Sequence, residues 1–444
     1  MPRVLLLLPT TTYRTQAFMD AARRLDVEVT VGSEEASTMT GLNPAGLVAL
    51  DFANPQRAAE QVAEFAVRHP IAAVVPVDDQ VAEVGAAICQ RLGLPSNSVE
   101  SAAATRNKYR MRELLALAGV PQPEFRLFSL AAEPAELARQ VTYPCVVKPL
   151  SRAASQGVMR ADNEVEFVAA VARLAAILES HHCHFLAEHF IPGPEVAVEG
   201  LLTSGRLRVL AIFDKPDTLD GPYFEETIYV TPSRLPDAIQ QQIAAITADA
   251  CRALGLVHGP VHAELRLSIT EPRTQRVFER SKRSNADSPT SLTPLEDSLR
   301  ARLGSTHDSC RSFPHVIEVN PRSIGGLCSR VLRFGTGMSL EELIIRHAID
   351  GNFAPPDREV QAAGVMMIPI PRAGEFQGVR GLESAKAVPG IEDVTISAHR
   401  GQRLVPLPEG SLYLGFIFAR GRSPEVVEAA LRAAHAALEF QIDS

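Results

Sequence analysis

The sequence predicts an α/β N-terminal domain, then a larger α+β region, then a small α+β unit at the C-terminal end. Three observations carry this. Buried-strand runs alternate with helical stretches over the first hundred residues, strands dominate from Val146 to Arg266, and a fresh strand-helix pattern begins after Gly351. A length of 444 residues also exceeds one ordinary core, so two or three domains are expected.

In the first region Val4–Leu8, Val27–Val31, Leu47–Leu50 and Ile71–Val77 read as buried strands. Gln16–Arg24, Arg57–Val67 and Gln80–Leu92 read as the helices around them, a rhythm that implies a parallel sheet with right-handed crossovers. The loop after the first strand is Pro9-Thr10-Thr11-Thr12-Tyr13, without the Gly-x-Gly-x-x-Gly fingerprint, so a scaffold or substrate-side domain is favoured over a dinucleotide site. Thr105–Ala118 reads as one amphipathic helix ended by Gly119 and Pro121. Helices near Val165–Leu178 and Pro236–Leu254 interrupt the strands that follow. Strands Pro260–Leu267 and His315–Asn320 flank residues 268–314, a Ser-, Thr-, Arg- and Pro-rich stretch expected to be an exposed, mobile insertion. The last unit is expected to contain strand Val365–Ile370, a helix near Gly381–Ala387, strand Val394–Ala398 and helix Pro424–Phe440.

Composition narrows the function. A formal charge of −8 offers no basic footprint for nucleic acid. The six cysteines are scattered without a Cys-x-x-Cys pair, which argues against structural zinc and a disulfide framework and fits a reducing compartment. No stretch approaches the roughly 20 apolar residues needed to cross a bilayer, so no membrane role is expected and the cytoplasm is the default.

The sharpest chemical signal is Val316-Ile317-Glu318-Val319-Asn320-Pro321-Arg322. Alternation along a strand places Glu318, Asn320 and Arg322 on one face, with Ile317 and Val319 toward a core. A carboxylate, an amide oxygen and a guanidinium suit a divalent metal that bridges phosphates. The earlier strand places His262, Glu264 and Arg266 on one face in the same way. If the two strands are neighbours, Glu264 and Glu318 converge, and their repulsion of roughly 4 kcal/mol at an effective dielectric of about 20 is relieved by a bound cation. His262 is read equally well as a satisfied, partly buried histidine.

Lys148 ends the apolar run Tyr143-Pro144-Cys145-Val146-Val147 and needs a partner or ligand unless it snorkels. The small-residue loop Ser151–Gly157 behind it could fold over phosphates through backbone N–H groups. Lys108, alone, would be an ordinary surface residue. Phe185–Glu195 joins an apolar strand to a turn and a second strand, and such a hinge offers free backbone groups to a planar base.

Taken in order, these motifs resemble the ATP-grasp superfamily across residues 104–352. The resemblance implies an ATP-grasp fold, with its nucleotide site between two α+β subdomains. It implies boundaries at 1–103, 104–185, 186–353 (carrying the 268–314 insertion) and 354–444. In the pattern N-K-x-x-x-R-x-x-L, Lys108 matches the first nucleotide lysine, and Lys148 matches the second. Ser151–Gly157, including Ser155, matches the phosphate cover; Glu188, Phe190 and Ile191 match the adenine hinge, and Glu195 the ribose contact. Glu264, Glu318 and Asn320 match the metal ligands, and Arg322 the arginine that steadies an acyl phosphate.

GPVHAELR, IEVNPRSIGG and PLPEGSLYLGFIFARG resemble the L-amino-acid ligase branch, which makes dipeptides and related amides. That implies Glu226, His262, Gly325 and Gly326 on the substrate side, with Glu226 a candidate for holding an amine. The implied cofactors are ATP and Mg²⁺, with Mn²⁺ a possible substitute, and the implied partners are a small-molecule carboxylate and amine. A homodimer is compatible. Another ATP-grasp chemistry, such as carboxylation of a purine precursor or of biotin, and a nucleotide-binding regulator without turnover are the alternatives.

Overall fold

The computed structural model describes residues 1–35, 42–179, 183–268 and 312–443. The expected 268–314 insertion therefore lies almost wholly outside the described residues.

Near the N-terminus, β1 (Arg3–Leu7), β2 (Glu28–Ser33), β3 (Leu47–Ala49) and β4 (Ala73–Pro76) form a parallel sheet in the order β3-β2-β1-β4. Its helices are α1 (Thr15–Arg24), α2 (Pro55–Arg68) and α3 (Ala82–Leu92). Strand β1 shows why the sheet is buried on both faces: Val4 and Leu6 join one core, Leu5 and Leu7 another.

The expected helix Thr105–Ala118 is instead two helices, α4 (Val99–Arg106) and α5 (Lys108–Leu117). Asn107 between them takes extended backbone, and its side chain accepts from the amides of Tyr109 and Arg110, so it starts a new helix. The break puts Lys108 at a buried helix start, where its amide also donates to the Leu150 carbonyl.

Two further sheets frame the site. Strands β5 (Phe125–Ser129), β6 (Cys145–Pro149), β7 (Met159–Ala161) and β8 (His184–His189) pair in the order β5-β8-β6-β7, backed by α6 (Pro134–Ala138) and α7 (Glu164–Leu178). An eight-stranded sheet begins with β9 (Glu195–Thr203), β10 (Arg206–Lys215), β11 (Ile228–Thr231), β12 (Gly259–Ser268) and β13 (Phe313–Asn320), with α8 (Asp237–Ala253) on one face. It continues into β14 (Ala362–Ile368), β16 (Ile391–Ile396) and β18 (Gly415–Gly421), in the order β13-β12-β9-β10-β11-β14-β18-β16. Strands β15 (Gly374–Arg380), β17 (Arg403–Leu404) and β19 (Glu439–Asp443) make a small sheet beside it. The last helix stops at Ala436 rather than Phe440, because Phe440 belongs to β19 and pairs with Val379.

Candidate active site

The polar face of the large sheet is built in rungs. Residues two apart on one strand share a face, and antiparallel pairing sets them beside their neighbours. One rung runs Lys215, Glu195, Arg266; the next runs Ala197, Glu264, Glu318; the third runs Glu199, His262, Asn320. The inferred neighbouring of the two carboxylate strands is thus present, with Glu264 directly opposite Glu318. Val261, Ala263 and Leu265 point the other way into a core with Val316 and Val319.

One detail departs from simple alternation. The ladder slips between Glu264 and Leu265, leaving Ile317 as an extra residue on β13. That bulge turns Ile317 to line the cleft beside Glu318, not to face a core as the alternation predicts. Asn320 ends the strand, so Arg322 lies beyond it rather than on it.

A cleft of about 710 Å³ lies between this face and the β6–β8 sheet. Its walls include Lys108, Lys148, Ser155, Glu188, Phe190, Ile191, Glu195, Glu226, Glu264 and Glu318, residues drawn from several elements. His262, Asn320, Arg322, Gly325 and Gly326 are not among its walls; Arg322 and Gly326 form an adjoining group bonded to loops of the N-terminal sheet.

Lys148 sits buried with its Nζ 2.6 Å from Glu188 Oε2. Arg112, fully buried, donates to both oxygens of Glu188 at 2.8 and 3.3 Å and to the Val316 and Ile317 carbonyls at 3.1 and 2.6 Å. Burial works against the Glu188 carboxylate, but Arg112 and Lys148 outweigh it and lower its pKa to about 2. The same burial lowers Lys148, against the pull of Glu188. The carboxylate of Glu188 is thus held by two cations. Arg112 is the arginine of the N-K-x-x-x-R-x-x-L pattern, to which the sequence alone assigns no role.

Lys108 is not a surface residue: its Nζ donates to the Arg152 carbonyl at 2.8 Å and to Glu318 Oε1 at 3.1 Å. Lys215, which the sequence did not single out, places its Nζ 2.6 Å from Glu195 and 3.3 Å from Glu264, and also bonds Glu226. Burial opposes its ammonium, but the three carboxylates hold its proton well above the usual lysine range. Burial raises Glu226 to about 7 despite Lys215, with Glu264 adding to the rise. Glu264 goes the other way: burial would raise it, yet Lys215 and His262 keep it well below the usual range. His262 links the buried Glu199, 3.0 Å from its Nδ1, to Glu264, 3.4 Å from its Nε2. It is therefore a satisfied histidine that also borders the site.

The donor set suits a hard cation, because Glu264, Glu318 and Asn320 offer oxygens from adjacent rungs of β12 and β13. A second set, Glu195, Glu226 and Glu264, brings carboxylate oxygens within 4.8 Å of one another, with Lys215 bonded to all three. The cleft also suits a nucleotide. His189 Nδ1 and Arg266 Nε, both on cleft-lining residues, are buried without a hydrogen-bond partner among the described residues. The guanidinium groups of Arg160 and Arg266 lie 4.2 and 4.7 Å from the Phe190 ring centroid.

Loops at the C-terminal ends of β1 and β4, the usual ligand edge of a parallel sheet, grip the adjoining group. Arg322 Nε donates to Asp79 at 2.8 Å, and Arg14 donates to the Ser323 and Ile324 carbonyls at 3.0 and 2.6 Å. The Gly326 amide donates to the Tyr13 hydroxyl at 2.6 Å. Gly326 needs its lack of a side chain, since its φ is +59° and a Cβ would lie 2.5 Å from Met367 Sδ. Tyr13, Arg14 and Asp79 were missed because their partners lie more than 240 residues away, beyond any local pattern.

Comparison with known proteins agrees with this geometry. Residues 141–277 match the model of the ATP-grasp domain, 19–96 the ATP-grasp N-terminal domain, and 366–443 the L-amino acid ligase C-terminal domain 2. The crystal structure of an L-amino acid ligase from Bacillus licheniformis superposes with a TM-score of 0.74 at 27% identity, covering 100% of this chain and 99% of that one. Dapdiamide A synthase of Enterobacter agglomerans is 30% identical over 40% of this chain, and an alanine–anticapsin ligase of Bacillus subtilis 25% identical over 47%. The match spans 42% and 48% of those two relatives, less than half the length of each. Among the described residues no helix is long and apolar enough to cross a membrane.

Proposed function

This chain belongs to the ATP-grasp superfamily and resembles its L-amino-acid ligases, and from that premise we propose that it is an ATP-dependent carboxylate–amine ligase forming an amide of amino-acid or dipeptide type. The observation that carries the reading is the convergence of Lys108, Lys148 and the opposed pair Glu264–Glu318 in one cleft. The C-terminal match to an L-amino acid ligase model favours amide formation over purine-precursor or biotin carboxylation.

The reaction transfers the terminal phosphoryl group of ATP to a substrate carboxylate, and an amine then displaces phosphate from the acyl phosphate. Lys108 and Lys148 offset phosphate charge, and Arg322, held by Asp79, offsets charge developing on the activated carboxylate. Phe190 and Ile191 border the base, and Ser155, with its loop, keeps water from the phosphates. Glu195 borders the ribose, and its pairing with Lys215 fixes its position. Glu226 holds the incoming amine, while His262, Gly325 and Gly326 shape the substrate side. Glu264, Glu318 and Asn320 would hold Mg²⁺, or Mn²⁺ in its place, which when bound supplies charge neutralisation at the phosphates. The same reading divides the chain at 1–103, 104–185, 186–353 and 354–444, and expects small-molecule partners and a cytoplasmic setting, with a homodimer compatible.

A mass-spectrometric screen of amino-acid pairs with Mg-ATP tests it. The expected outcome is a new amide with one ADP and one phosphate per turnover; AMP as the stoichiometric product would overturn the mechanism.

A further inference from the structure

The loop Ser151–Gly157 is held from two sides. On the cleft side Lys108 Nζ donates to the Arg152 carbonyl at 2.8 Å. On the outer side the bonds come from residues more than 250 positions away. The Gly157 amide donates to the Pro408 carbonyl at 2.9 Å, and Gln156 Nε2 to the Glu409 carbonyl at 2.7 Å. The Glu409 carboxylate then receives a two-pronged contact from Arg173 of α7, at 2.5 and 2.9 Å. Arg173 is itself braced: its guanidinium lies 5.2 Å from the Tyr223 ring centroid and also donates to the Tyr223 hydroxyl. Tyr223 bridges to Met159 just after the loop.

The loop needs such restraint. Ala154 and Ser155 take left-handed φ values of 52° and 55°, which side-chain-bearing residues avoid. A half-exposed ion pair alone would do little, but here it is bidentate, braced by an aromatic ring and set beside two hydrogen bonds to backbone carbonyls.

We propose that Glu409 and Arg173 are positioning residues, a clasp through which the C-terminal unit holds the 151–157 loop closed over the cleft. The part of this that concerns turnover rests on the ligase reading; the clasp itself does not. An open loop would let water reach the acyl phosphate, so losing the clasp should separate phosphate release from amide formation.

Hydrogen exchange over residues 151–158, measured on the full chain without nucleotide, tests the clasp alone. Glu409→Arg and Arg173→Glu should each speed exchange there by about tenfold and leave β1–β4 unchanged. Both positions are about two-fifths exposed, so folding should survive. Combining the two reversals should return exchange to the parent rate. Unchanged exchange in a folded single variant, or no recovery in the double variant, overturns the proposal.

In turnover, each single reversal should raise the KM for ATP by about tenfold and the phosphate released per amide by about threefold, with kcat less affected. A purely structural defect would lower the active fraction and leave that ratio alone, and an unchanged ratio overturns the closing role. A parent without ATP-dependent turnover, but with the expected exchange pattern, sinks the ligase reading and leaves the clasp standing.

Discussion

At the scale of single residues, the trio Arg112–Glu188–Lys148 separates binding from folding. Glu188 is almost wholly buried and balanced by two cations, so removing either has a different cost. Without Lys148, Arg112 still holds both carboxylate oxygens and the β13 carbonyls. Lys148→Ala should therefore lose most ATP affinity while costing only about 1–2 kcal/mol of stability. Arg112→Ala leaves a buried carboxylate with Lys148 alone and strips the Val316 and Ile317 carbonyls, which should cost about 3–5 kcal/mol. Urea unfolding and nucleotide titration on both variants check this. Equal stability losses, or an unchanged ATP affinity in a folded Lys148→Ala, would contradict the assignment. Local sequence flagged Lys148 because an ammonium after an apolar strand needs a partner. It could not name Glu188 or Arg112 as that partner, since ion pairing across elements leaves no local period.

At the scale of elements, alternation made the polar faces of β12 and β13 legible, and their pairing then set Glu264 opposite Glu318. A period of two cannot announce a bulge, so the turn of Ile317 toward the cleft was out of reach. The break at Asn107 was hidden for a related reason: the apolar positions Met111, Leu114, Leu115 and Ala118 all lie beyond it, and only the capping geometry ends α4 and restarts α5. A second element contact has a pH signature. His347, on the helix Leu340–Ile349, stacks on His258 with ring centroids 4.6 Å apart and shares a 2.9 Å hydrogen bond with Thr203. Burial, then the neighbouring His258, lowers its pKa from 6.5 to about 4, with Asp350 pulling weakly the other way. In the unfolded chain the group takes up its proton near pH 6.5, whereas the folded chain resists until about pH 4. The stability tied to this imidazole is thus fully present above pH 6.5 and is lost as pH falls from there through about 4. The loss should be on the order of 1–3 kcal/mol. Unfolding free energies at pH 7 and pH 4.5 should differ less in His347→Leu than in the parent. An undiminished difference would show that other groups carry the acid sensitivity.

At the scale of the whole molecule, loops of the N-terminal sheet reach the residues that follow β13. The contacts, Asp79 to Arg322 and Tyr13 to Gly326, join parts of the chain that no sequence window spans. In the proposed ligase reading, Arg322 is where two parts of the protein meet the reaction. Its Nε is held 2.8 Å from Asp79, and a further nitrogen donates to the Ser323 carbonyl at 2.9 Å. A guanidinium held this way is preorganised, and removing one such donor typically costs on the order of 3 kcal/mol, or about a hundredfold in rate. Arg322→Ala should lower amide formation by that factor. Arg322→Lys should recover little, because an ammonium cannot keep the Asp79 contact and a second prong together. Asp79→Asn keeps the shape while removing the charge that orients Arg322, so it should fall between parent and Arg322→Ala. Hydroxylamine reads the step directly, since it intercepts an activated carboxylate as a hydroxamate with a single acid substrate present. Hydroxamate yield should fall in the order parent, Asp79→Asn, Arg322→Ala. If Arg322→Ala gives hydroxamate at the parent rate, charge on the activated carboxylate is offset elsewhere, and the Asp79–Arg322 contact serves only to dock the N-terminal sheet.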